Sequence, residues 1–112
     1  MALSNKEVEV FYSYRSPYSY LAIGQLYDWH KETGVNIIIR PVYPLAIRTP
    51  DFFDKLNPIG HAYVLMDTKR TADFLDLDYK WPNPDPVTMT FSPLNISKEQ
   101  PYIHRLTRLG IE

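Results

Sequence analysis

The chain has 112 residues and a net charge of −1; hydrophobic residues make up 45% and charged residues 22%. That length allows one domain with a modest core, and the composition is globular, not disordered. There is no basic excess to neutralise a phosphate backbone, which argues against nucleic acid as a partner. The chain has no cysteine, so the protein itself performs no thiol–disulfide chemistry. No apolar run is long enough to span a membrane, and residues 1–7 contain no apolar leader segment. The expectation is a soluble cytoplasmic protein.

Residues 7–14 read as a strand, from the alternation Val8-Glu9-Val10-Phe11-Tyr12. Residues 17–33 read as a helix, with Ser16 as N-cap, Pro17 at the first helical position and Gly34 as C-cap. One stripe of that helix carries Tyr18, Leu21, Ala22, Leu26 and Trp29. A second, with Tyr20, Ile23 and Tyr27, lies round the other side, so the helix is expected to be covered on more than one face. Val35 to Val42, with the run Ile37-Ile38-Ile39, reads as a second strand, buried on both faces. Strand, helix and strand with short joints predict a right-handed parallel βαβ unit.

Pro41, Pro44 and Pro50 crowd the loop that follows. Asn57 is a cap candidate for a helix opened by Pro58 and running to about Leu75. Residues 77–93 read as irregular chain rich in proline, with a short extended stretch at Val87–Phe91. Ser97 and Gln100 have the spacing of a capping box for a last helix bearing Tyr102, Ile103, Leu106 and Leu109 and ending at Gly110. Two strands leave both edges of a sheet unpaired. The expectation is therefore a piece of a longer fold or a homo-oligomer in which another copy completes the sheet.

The stretch Val8–Tyr12 followed by Ser16-Pro17-Tyr18-Ser19-Tyr20-Leu21-Ala22 resembles the opening of the kappa-class glutathione transferases and 2-hydroxychromene-2-carboxylate isomerases. These form the cysteine-free branch of the DsbA-like thioredoxin superfamily. The resemblance continues through Arg40-Pro41-Val42, through Tyr63, Asp67 and Arg70, and through Trp81-Pro82 and the helix from Glu99 to Leu109. It implies an α/β fold: a thioredoxin-like βαβ unit over residues 1–44, then the start of a mostly helical insert over residues 45–112, with the C-terminal half of the fold absent. The resemblance also implies that the absent half carries the cis-proline and the acidic group that contact glutathione, so this chain is expected to bind glutathione weakly or not at all. Ser13, where the family often has aspartate, and Arg15 depart from the pattern.

By the same resemblance, the cofactor is glutathione and Ser16 is the catalytic and cofactor-binding residue, its hydroxyl donating to the thiolate. Asn57 is a second cofactor contact, with a simple helix cap as the competing role. A helix N-terminus stabilises an adjacent anion by at most ~2 kcal/mol, about 1.5 pKa units. That suffices to bring a thiol near neutrality and falls far short of ionising a serine hydroxyl. Ser16 is therefore a hydrogen-bond donor and not a nucleophile, and its competing role is N-cap alone.

Arg48 and Lys55 are candidate cations for a carboxylate. Asp67 and Arg70 have the spacing of an intrahelical ion pair. Tyr18 and Trp81 are candidates to line an aromatic pocket, with core packing as the alternative. His30, His61 and His104 lack ligand spacing, so no metal is expected.

The function implied by the resemblance is a glutathione-dependent isomerase or transferase acting on a small-molecule electrophile or aromatic-degradation intermediate. There, glutathione adds to an unsaturated 2-oxo acid, allows bond rotation and leaves unchanged. The alternatives are a non-catalytic thioredoxin-like binding or assembly domain, and a DsbA-like oxidoreductase by ancestry only, since Ser16 and Ser19 stand where its cysteines would be.

Overall fold

The computed structural model describes residues 3–91 and 94–111. Strand β1 (Glu7–Tyr12) leads into helix α1 (Pro17–Thr33) and then strand β2 (Asn36–Pro41). The two strands pair in parallel, in register from Glu7 opposite Asn36 to Tyr12 opposite Pro41. The expected βαβ unit is present.

Its joints follow from local chemistry. β1 stops two residues earlier than its apolar pattern suggests, because the chain turns there: the Ser16 amide donates to the Ser13 carbonyl at 3.2 Å. Ser16 is extended (φ −74°, ψ 119°), and Pro17 opens the helix. Gly34 ends it in the left-handed region at φ 75°, its amide donating to the His30 carbonyl. A side chain on residue 34 would be strained there, and its Cβ would also press on Ser4 at 3.3 Å.

The proline-dense loop is more ordered than expected. Pro44 and Pro50 each precede a short helix, α2 (Leu45–Arg48) and α3 (Asp51–Lys55). Asn57 then caps α4 (Pro58–Phe74), its side chain accepting from the Ile59 amide at 2.9 Å. The stretch near Val87 does extend, as β3 (Met89–Phe91), and it has a partner that the sequence did not advertise. That partner is β4 (Leu94–Ile96), antiparallel to it.

The expected capping box does not form. The last helix, α5 (Ile103–Ile111), begins beyond it. Gln100 is buried and behaves as a strand would. Its Oε1 accepts from the Thr88 amide at 2.8 Å, and its Nε2 donates to the carbonyls of Thr88 at 2.9 Å and Ser97 at 2.8 Å. A buried amide that satisfies backbone groups on both sides outweighs one exposed cap bond.

Two apolar centres result. Leu21 and Val35 are buried in the βαβ unit. Ala46, Val87 and Ile103 form the other, with Ile47, Phe53, Met89 and Ile96 packed round them, so that α2, the hairpin and α5 share one core. Helix α5 also approaches the β1–α1 turn closely. The Tyr14 ring occupies the space a side chain on Gly110 would need.

Much apolar surface stays open. The radius of gyration is 16.0 Å, against about 13 Å for a compact chain of this length. The accessible surface is 8321 Å², against about 6,400 Å² for a monomer of this mass. Ile39 of β2 is exposed, so the expectation that the second strand is buried on both faces fails, and in β1 Phe11 is 65% exposed. The second face of α1 is only partly covered: Tyr20 meets the Tyr79 ring, while Tyr27 is 60% exposed. Helix α4 buries Thr68 and Ala72, yet Ile59, Tyr63, Met66 and Phe74 lie exposed along the opposite side.

Candidate functional site

The residues round Ser16 are held by the turn that ends β1. The Ser16 hydroxyl oxygen accepts from the Ser19 amide at 3.4 Å, as an N-cap should. Ser19 in turn accepts, through its own hydroxyl oxygen, from the Ser13 amide at 3.3 Å. The Ser13 hydroxyl oxygen accepts from the Arg15 amide at 3.4 Å. Among the described residues the Ser16 hydroxyl hydrogen has no acceptor, so it is free to donate outward while a lone pair caps the helix.

Ser16 lies on the wall between two clefts. The first, of about 340 Å³, is mainly aromatic: Tyr14, Tyr20, Tyr79 and Trp81 line it, with Arg15 and Lys80 at its edge. The second, of about 300 Å³, is lined by Ser13, Ser16 and Ser19 together with Phe11, Val42, Leu45 and Arg48. The three serine hydroxyls and Arg48 thus belong to one cleft, and four aromatic rings, with Arg15, Asp78 and Lys80, belong to the other.

The cations differ in availability. One edge of the Arg15 guanidinium is engaged: Nε donates to Asp85 Oδ1 at 3.0 Å and Nη2 to Asp85 Oδ2 at 2.9 Å, with both side chains largely buried. Asp85 Oδ1 also accepts from the Val87 amide at 2.9 Å. The indole of Trp81 lies 5.9 Å from the Arg15 guanidinium carbon. Arg48 spends only Nε, on the Tyr43 carbonyl at 2.7 Å, leaving its outer nitrogens able to meet a carboxylate. Lys55 pairs with Asp51 on α3 and lines neither cleft.

Comparison of the chain with family models, with curated proteins and with solved structures finds no match.

The expected site residues are only partly gathered. Ser16 lines both clefts, and Trp81 lines the aromatic one. Asn57 caps α4 and lies outside both. Tyr18 is exposed and lines neither; its hydroxyl donates to Asp67 Oδ2 at 2.7 Å and ties α1 to α4. The expected Asp67–Arg70 pair is therefore replaced by an interhelical bond. Donating to that carboxylate holds the Tyr18 proton, with a pKa pushed up to about 12. Burial, then the neighbouring hydroxyls of Tyr14 and Tyr20, push the Tyr12 hydroxyl up as well.

The sequence singled out neither Asp85 nor Tyr79. Arg15 and Asp85 stand 70 positions apart, and nothing local marks either as a partner of the other. The histidines have separate structural roles: His30 donates from Nδ1 to the Val35 carbonyl at 2.7 Å, His61 stacks on Phe53 and His104 meets Tyr43 edge-on. Among the described residues no group of three or more acidic or histidine side chains gathers to hold a metal. No described helix is long and apolar enough to cross a membrane.

Proposed function

We propose that this chain carries the thiol end of a glutathione site in a thioredoxin-like, glutathione-dependent isomerase or transferase. Its second substrate is a small electrophile of the kind formed in aromatic degradation. The observation that carries this reading is Ser16, placed at the N-terminus of a 17-residue helix, on the wall shared by a hydroxyl-lined cleft and an aromatic one.

The residues present fit the group. Bound glutathione supplies a nucleophilic thiolate that adds reversibly to an electrophilic carbon. The chain's part is to hold that anion: the Ser16 hydroxyl donates to it, and the aligned amides of the first turn of α1 favour negative charge. Ser13, Ser19 and Arg48 offer polar contacts to the peptide and a carboxylate on the same side. Tyr14, Tyr20, Tyr79 and Trp81 receive a flat apolar reactant on the other, within reach of Ser16. Asn57 in its cap role adds no contact at either cleft.

A second reading is a non-catalytic thioredoxin-like assembly domain. It is favoured by the two open sheet edges and by the exposed apolar stripe of α4. Both readings share a homo-oligomer, in which a second copy covers that stripe and the sheet.

Glutathione titrated into the chain, followed by the ultraviolet absorbance of its thiolate, separates the two. The enzymatic reading expects weak, millimolar binding with a thiolate band that rises at lower pH than for free glutathione. Glutathione that binds with no shift of its thiolate band leaves only the assembly domain.

A further inference from the structure

The proline-rich segment that walls the aromatic cleft is strapped to the start of α1 at both ends. At one end the Tyr20 hydroxyl donates to the Asp78 carbonyl. At the other, Arg15 grips Asp85 with two parallel hydrogen bonds of 3.0 and 2.9 Å. Trp81 lies between the straps and rests over the Arg15 guanidinium.

We propose that Arg15 and Asp85 are positioning residues for this cleft: their pair holds Trp81 in place as its wall beside Ser16. This rests on the reading that the cleft receives the electrophile, but the mechanical claim stands on geometry alone. Arg15 directly precedes Ser16, so whatever grips its guanidinium is registered to the Ser16 hydroxyl by one peptide unit. Pro82 and Pro84 have fixed φ, so the chain from Trp81 to Asp85 transmits the grip with little slack.

The pair is also built to hold. Its side chains are only 13% and 22% exposed, and the bidentate fork fixes orientation as well as distance. Asp85 Oδ1 is fixed further by the Val87 amide, and Val87 belongs to the buried core with Ala46 and Ile103. The pair therefore links the core of the hairpin and α5 to the site turn.

The test uses the fluorescence of Trp81. The chain has two tryptophans, so a Trp29→Phe background leaves Trp81 as the reporter. In that background Arg15→Ala and Asp85→Asn are compared with the parent, with far-ultraviolet circular dichroism reporting the fold. Trp81 is 40% exposed, so its release to water should red-shift its emission and raise acrylamide quenching. The shift is expected in both variants while the circular dichroism is unchanged. Asp85→Asn keeps the shape and the acceptor for the Val87 amide, and it decides the matter if Arg15→Ala fails to fold. Unchanged Trp81 emission in a folded Asp85→Asn variant overturns the proposal. The readout needs no ligand, so an unshifted thiolate band for glutathione bound to the parent overturns the functional reading without touching this result.

Discussion

Replacing Ser16 by alanine separates its two roles, because each has its own magnitude and its own assay. As a cap, Ser16 accepts one hydrogen bond from the Ser19 amide at a long 3.4 Å. The loss should sit at the low end of the usual range, about 0.5–1 kcal/mol. As a donor to a thiolate it contributes a charge-assisted bond, about 1.5–3 kcal/mol, which is about one to two pKa units on the bound thiol. Ser16→Ala should therefore lower the melting temperature by only a few degrees while raising the apparent pKa of bound glutathione by about one to two units, read from its thiolate absorbance.

Affinity at high pH, where the thiolate is the form bound, should fall by about one to two orders of magnitude, while affinity at low pH, where the thiol is bound, should barely move. Ser16→Gly provides the control: it costs the cap only a few tenths of a kcal/mol yet removes the hydroxyl completely. Thiolate pKa should follow the hydroxyl and not the melting temperature. If both variants lose stability and neither moves the thiolate pKa, Ser16 is a cap alone and the glutathione reading loses its central residue.

Tyr18→Phe removes the bond to Asp67. The folded pKa of Tyr18 is raised to about 12 from 10.0, so its contribution is complete below pH 10 and is lost as pH rises towards 12. Because Tyr18 is 43% exposed, solvent screening limits that contribution to about 0.5–1 kcal/mol; denaturant unfolding of both proteins should show a gap that is constant to pH 10 and then closes, and a gap independent of pH refutes the bond. Thr107 of α5 is 4% exposed and its hydroxyl has no partner among the described residues. Thr107→Val should then stabilise by about 1 kcal/mol, seen as a higher melting temperature; a drop would mean that the hydroxyl is satisfied. Sedimentation should find the chain self-associated at micromolar concentration, with Tyr63→Glu and Phe74→Glu shifting it towards monomer. A cooperative monomer at all concentrations in the unsubstituted chain contradicts the oligomer.

The βαβ unit was legible in the sequence because its information is local. The change of period at Ser16 and Pro17, and the need for a left-handed residue at Gly34, act within a few residues of where they are written. The same holds for Asn57 and Pro58 at the start of α4. Gln100 shows where that logic ends: its spacing from Ser97 suits a cap, but burial gave its amide two stronger partners on the Thr88 backbone. Tertiary contact likewise took Asp67 from Arg70 and gave it to Tyr18. It also turned Arg15, which in sequence is only a departure from a pattern, into the anchor of the cleft wall through Asp85. Propensity and capping are energies of nearest neighbours along the chain, so sequence alone determines them. Which donor meets which acceptor across 70 positions depends on how the two cores dock, and only the folded chain decides that.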